Sequence, residues 1–85
     1  MTSVQVLLFA HPKELLGGAP DTALALPPGA TLAALRAALL AQHPALAPLL
    51  PSCAFAIGEA LIAREQEAAT PAPAQVALIP PVSGG

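Results

Sequence analysis

The sequence predicts an α+β fold, a mixed sheet of about five strands with one main helix packed on one face. Three observations lead there. Short β-branched or apolar runs recur along the chain, most of them closed by Pro or Gly. Only one segment carries a clear helical stripe: Leu32, Leu35 and Leu39 at i, i+3 and i+7. The chain's 85 residues suffice for one small domain, whose folding buries only about 60 to 65% of the chain's surface. The resulting order is β-β-α-β-β-β.

The first strand is read over Val4–Ala10, β-branched and apolar apart from Gln5, and therefore central in the sheet. Pro12 is expected to end it. Lys13 to Leu16 form one helical turn, closed by Gly17-Gly18. Asp21–Leu26 alternates weakly as a second strand and is broken by Pro27-Pro28-Gly29; so short a return implies antiparallel pairing with the first. Thr31 is an N-cap for a helix from Leu32 to about Gln42, with Arg36 off its apolar stripe. His43-Pro44 ends that helix, because the residue before proline disfavours the α region. A proline-punctuated connection runs to Pro51. Ala54–Ile57 and Ala60–Ala63 are the next strands, with Gly58-Glu59 as a tight turn between them. Arg64 to Gln75 is expected to be an irregular loop with Glu65 and Glu67 solvated, and Val76–Ile79 is the last strand.

Composition removes whole classes of function. Charged residues make up 9% of the chain and the net charge is −2, with Lys13, Arg36 and Arg64 scattered. No basic stripe exists to neutralise phosphates, which argues against nucleic acid. No apolar run reaches 18 residues, which argues against a membrane span. Met1-Thr2-Ser3 lacks the basic start of a signal peptide, so a cytoplasmic protein is expected. Trp and Tyr are absent and Phe occurs twice, so the core must be aliphatic. Cys53, the single cysteine, lies among Ala54, Phe55 and Ile57 and reads as a small buried hydrophobe.

The ending, Leu78-Ile79-Pro80-Pro81-Val82-Ser83-Gly84-Gly85, is a different kind of sequence. The division expected is a domain over residues 1–79 and an extended tail over 80–85. Pro80 and Pro81 fix φ and remove two backbone donors, so no strand or helix continues through them. A polyproline-like course over six residues reaches roughly 18 to 20 Å. Gly84 and Gly85 lack Cβ atoms and fit a channel too narrow for other residues. The plain alternative is a frayed end on which nothing is required.

No other constellation carries chemistry. His11 and His43 have no Cys, His or acidic residue at metal-ligand spacing, and no metal site is expected. No nucleophile–base–acid set and no glycine-rich phosphate loop occurs. What is left is the carboxylate of Gly85, ionised at neutral pH and a poor electrophile until another protein activates it, most simply as an acyl-adenylate made with ATP.

The Pro80-Pro81-Val82-Ser83-Gly84-Gly85 ending resembles that of the small, sulfur-carrying subunit of molybdopterin synthase, in the ubiquitin-like sulfur-carrier family. Val6–Ala10 followed by Lys13-Glu14-Leu15-Leu16-Gly17 is similar to that family's first strand and turn. Length and element order agree over essentially the whole chain, implying the β-grasp, ubiquitin-like fold. The resemblance further implies that an E1-like adenylyltransferase adenylates Gly85 and that a sulfur donor protein converts it to a thiocarboxylate. The tail, Gly84 included, would then enter the synthase large subunit, in a heterotetramer, and give sulfur to the molybdopterin dithiolene. No cofactor is implied to be bound; ATP belongs to the activating enzyme. Phe9, Leu61 and Ile79 match the family's partner-facing surface, with Pro80, Pro81, Val82 and Ser83 as further contacts; the alternative for Phe9, Leu61 and Ile79 is an ordinary core role. Lys13 stands where Arg is usual, Gly58 where Asn is common, and Pro71-Ala72-Pro73-Ala74-Gln75 replaces an acidic turn. Competing readings are a sulfur carrier for thiamine or tRNA thiolation, a ubiquitin-like modifier joined to lysine through Gly85, and an interaction domain that is never activated.

Overall fold

The computed structural model describes residues 1–81. Its strands are β1 (Thr2–Leu8), β2 (Asp21–Leu26), β3 (Ala54–Ile57), β4 (Ala60–Ile62) and β5 (Gln75–Ile79), and its helices are α1 (Ala10–Leu15) and α2 (Leu32–Gln42). The sheet order is β2-β1-β5-β3-β4, with β1 and β5 parallel and every other pair antiparallel. This is the expected β-grasp arrangement: the first and last strands lie side by side at the centre, and α2 crosses one face.

Alternation along the strands creates the two faces. Val4, Val6 and Leu8 of β1, Leu24 and Leu26 of β2, Phe55 of β3, and Val76 and Leu78 of β5 are buried. They meet Leu32, Leu35 and Leu39 of α2, all fully buried, so the three-leucine stripe is the helix's contribution to the core. Thr31 Oγ1 accepts from the Ala34 N–H at 3.3 Å, the N-cap expected for α2. The 44–52 connection consists of two short 3-10 turns, Pro44–Leu46 and Leu50–Ser52, which insert Leu46 and Leu50 into the same core. Cys53 is buried there as expected. Burial pushes its thiol pKa up, against the lowering influence of Arg36 and Arg64.

Two expectations are corrected. β1 stops at Leu8 rather than Ala10, and Pro12 ends no strand. The chain turns off the sheet at Ala10, whose φ is +53°, and Pro12 sits in the first turn of α1, where its missing N–H is not needed. The larger correction concerns residues 64–75. Arg64–Ala69 is a 3-10 helix, the Leu32 N–H bonds the Thr70 carbonyl, and Thr31 and Pro71 form an isolated bridge. Alanine and proline composition hides this order, because its anchor is a single buried charged side chain, Glu67. Smaller shifts are the end of β4 at Ile62 and the start of β5 at Gln75.

Candidate functional site

Because β5 runs parallel to β1, both strands end at the same edge of the sheet. Leu8 pairs with Leu78, so Phe9 and Ile79 stand one step further on, where β5 ends and Pro80 follows. On the other side of β5, Ile79 pairs with Ala54. Two residues inward from Phe9 and Ile79, the register aligns Leu7, Ala77, Ala56 and Leu61 across four strands. Residues directly opposite in a sheet project to the same side, and two-residue alternation puts this row on the face that α2 does not cover.

That face is apolar. Phe9 is 47% exposed and Leu61 65% exposed, while Ile79 is half-buried. A small hollow of about 110 Å³ lies between Leu7, Ala56, Gly58, Gln75 and Ala77. Phe9 and Leu61 are thus not core residues but large apolar side chains left at the sheet surface. Gly58 serves Leu61 locally. With Ile57 paired to Ala60, the β3–β4 connection is a two-residue hairpin, and its first turn position takes φ +61°, which glycine adopts without strain.

The apolar rows give way to a polar corner. Gln5 Nε2 donates to Asp21 Oδ2 at 2.6 Å, and Gln75 Nε2 donates to Gln5 Oε1 at 2.9 Å, a chain across β2, β1 and β5. Each amide has its orientation fixed by its neighbour, so the uncovered face is an apolar field with one ordered polar border.

Pro80 is half-buried and Pro81 exposed, neither in a strand, at the end of β5. The tail positions Val82, Ser83, Gly84 and Gly85, on which the expected chemistry rests, lie outside the described residues. His11 and His43 do not come together: His11 is exposed, and His43 Nε2 lies 3.0 Å from Thr22 Oγ1. Among the described residues, no three His, Cys, Asp or Glu side chains converge as metal ligands.

A buried ion pair on the helix side went unread in the sequence. Glu67 is 2% exposed. Its Oε1 accepts from Arg36 Nε at 2.8 Å and its Oε2 from Arg36 Nη2 at 2.6 Å, a bidentate fork. Arg36 also donates to the Leu50 carbonyl at 2.6 Å and the Cys53 carbonyl at 2.9 Å, and its guanidinium carbon lies 5.0 Å from the Phe55 ring centre. Arg64 Nε stands 3.7 Å from Glu67 Oε2. The cluster ties α2, the 44–52 connection and the 64–69 turn together. One signal was available: Arg64 and Glu67 are spaced to share a helical turn in a chain with three Lys and Arg.

With this geometry, likeness to known proteins becomes informative. The sequence pattern of the ThiS family matches residues 6–85. The molybdopterin synthase sulfur carrier subunit of Chlamydomonas reinhardtii is 35% identical over 82 residues, covering 96% of this chain and 98% of that one. The small archaeal modifier protein 1 of Methanosarcina acetivorans superposes with a TM-score of 0.75 at 26% identity, covering 100% of this chain and 98% of that one. A protein–protein complex of subunits 1 and 2 of the molybdopterin-converting factor from Helicobacter pylori contains a chain with TM-score 0.67 and 28% identity, covering 99% of this chain and 100% of that one. None of the described helices is long and apolar enough to cross a membrane. Sequence pattern and fold agree over nearly the full length: the chain belongs to the ThiS family.

Proposed function

We propose that this protein is the sulfur-carrying small subunit of a molybdopterin synthase. The observation that carries the reading is the family match, which runs to Gly85 itself, together with a 35% identical relative of that name. The Gly85 carboxylate attacks ATP bound on an E1-like adenylyltransferase, releasing pyrophosphate and leaving an acyl-adenylate. A sulfide equivalent from a sulfur donor protein adds to the carbonyl, AMP departs, and a thiocarboxylate remains. Without a Cβ on Gly85, the carbonyl is open on both faces. The tail then enters the large subunit, where the sulfur is transferred towards the dithiolene and the carboxylate is regenerated.

In this reading the folded domain performs docking. Phe9, Leu61 and Ile79 hold the large subunit, Pro80 and Pro81 stiffen the exit from β5, and Val82, Ser83 and Gly84 are further contacts on the way to the reactive Gly85. The Helicobacter pylori complex of the two converting-factor subunits supports such a pairing, which we extend to a heterotetramer. Likeness to the small archaeal modifier protein favours a second reading, in which the activated Gly85 is joined to a lysine amine of a target protein.

The decisive experiment incubates the full chain with its cognate adenylyltransferase, ATP and sulfide and measures the intact mass. A gain of about 16 Da, one oxygen exchanged for sulfur, is expected. Absence of both adenylate and thiocarboxylate would refute the carrier role. Adding the large subunit and pterin precursor should yield molybdopterin; conjugates to lysine without molybdopterin would select the modifier reading.

A further inference from the structure

On the helix side of the sheet, away from the tail root, α2 and the 44–52 connection leave an open hollow of about 270 Å³. Ala33, Ala37 and Leu40 form its α2 wall, at i, i+4 and i+7 and turned away from the core stripe of Leu32, Leu35 and Leu39. Ala47 and Leu50 line it from the connection, and Arg36 and Arg64 complete it. Leu40 is 43% exposed, a large apolar side chain with no core role.

The polar groups at this hollow differ in how far they are committed. Arg36 spends Nε, Nη1 and Nη2 on Glu67 and two carbonyls. Arg64 donates through Nη2 to the Pro51 carbonyl and lies near Glu67, yet its side chain is 50% exposed and its Nη1 has no acceptor among the described residues. Two guanidinium groups and one carboxylate leave this cluster one positive charge, in a chain of net charge −2. Arg64 is thus a guanidinium steadied on one side and open on the other, beside an apolar recess. Steadying matters because a pre-placed fork loses less freedom when it meets an anion.

We propose that this hollow is a second docking site, taking a partner polypeptide that presents an apolar side chain next to a carboxylate. The apolar group enters between Ala33, Ala37 and Leu40, and the carboxylate meets Arg64. The recess is open rather than enclosing, which suits one side chain of a larger partner better than a buried small molecule. The site lies across the sheet from Phe9 and Leu61, so an occupant leaves the tail-root face free and both can be engaged at once.

The test titrates the ¹⁵N-labelled full chain with the peptide acetyl-Glu-Leu-Leu-Glu-amide, in parallel with its Gln-Leu-Leu-Gln and Lys-Leu-Leu-Lys counterparts. Saturable amide shifts are expected at Ala37, Leu40, Ala47 and Arg64, with the acidic peptide binding at least about fivefold tighter than the neutral one through its charge-assisted contact. Arg64→Gln should reduce the acidic peptide to the neutral peptide's affinity, and Ala37→Glu should remove binding of both, with amide spectra elsewhere unchanged. Should Ala37→Glu fail to fold, the surface variant Arg64→Gln still decides. Shifts confined to the Phe9–Leu61 face, three peptides of equal affinity, or no saturation at roughly 10 mM peptide, ten times a millimolar Kd, would each overturn the proposal.

Discussion

The two sides of this small sheet handle polarity in opposite ways. On the helix side, a carboxylate and a guanidinium are drawn inside and every guanidinium nitrogen of Arg36 finds an acceptor. Among the described residues, no buried side-chain nitrogen or oxygen lacks a partner. On the uncovered side, Phe9 and Leu61 are left in water. The first arrangement is costly unless complete, since removing charges from water is repaid only by good geometry and full hydrogen bonding. The second gains nothing for the isolated domain. Charge on the helix side thus serves mainly to hold the chain together, while the uncovered side keeps large apolar side chains exposed. If that contrast is right, the two regions must respond to mutation through different measurements.

The sharpest break is Glu67→Ala. It strands the buried Arg36 and should destabilise the domain by about 3 to 5 kcal/mol, much of the stability of a chain this size. Thermal denaturation is the measurement, with any sulfur transfer per folded molecule unchanged. Removing both partners, Arg36→Met with Glu67→Leu, should be less harmful than the single change, because no charge stays buried alone. It should not reach wild type, since the Cys53 carbonyl loses its Arg36 donor. A double variant as unstable as Glu67→Ala would show that packing, not charge pairing, holds the 64–69 turn.

Leu61→Asp probes the opposite region. Exposed as it is, Leu61 should change the melting temperature little, whereas affinity for the cognate large subunit, measured by calorimetry, should fall by about 2 kcal/mol, roughly thirtyfold, as for a residue at the centre of an interface. A large loss of stability with unchanged affinity would move Leu61 to the structural side of the comparison.

The same contrast explains what could be read from the sequence. Core positions follow periodicity: the α2 stripe, the bounds of β2 and β3 and the Thr31 cap are local patterns, and the structure has them where the sequence puts them. The pairing of Arg36 with Glu67 spans 31 residues and carries no period, so Glu67 looked like any solvated loop charge. The order it imposes on the alanine- and proline-rich stretch was hidden for the same reason. At the tail root, the apolar identities of Phe9, Leu61 and Ile79 were visible, but their gathering on one face needs the parallel β1–β5 register, which is a tertiary fact. Ala10 misled for another reason. Its apolar side chain suits a strand, while its backbone is required to turn.

That turn supplies a smaller test. Ala10 lies in the left-handed region, where its Cβ is unfavourable and glycine is at ease. Ala10→Gly should relieve the strain; against it stands glycine's greater unfolded freedom, leaving a net gain of at most about 1 kcal/mol in chemical denaturation. A loss would mean that the turn beside Phe9 is not strained.

Cys53 gives the smallest effect, and its sign is fixed. Burial holds the thiol pKa above its ordinary value of 9.0, so the folded chain keeps a proton that the unfolded chain sheds. The stability tied to the neutral thiol is fully present below pH 9.0 and is lost as pH rises through the folded value. Cys53→Ala removes this dependence, at some cost from a smaller core side chain, so the stability difference between wild type and variant should narrow as the solution becomes alkaline. Alkylation with iodoacetamide at neutral pH should likewise be slow in the folded chain and fast once it is unfolded. Rapid alkylation of the folded chain would place Cys53 outside the closed helix-side core.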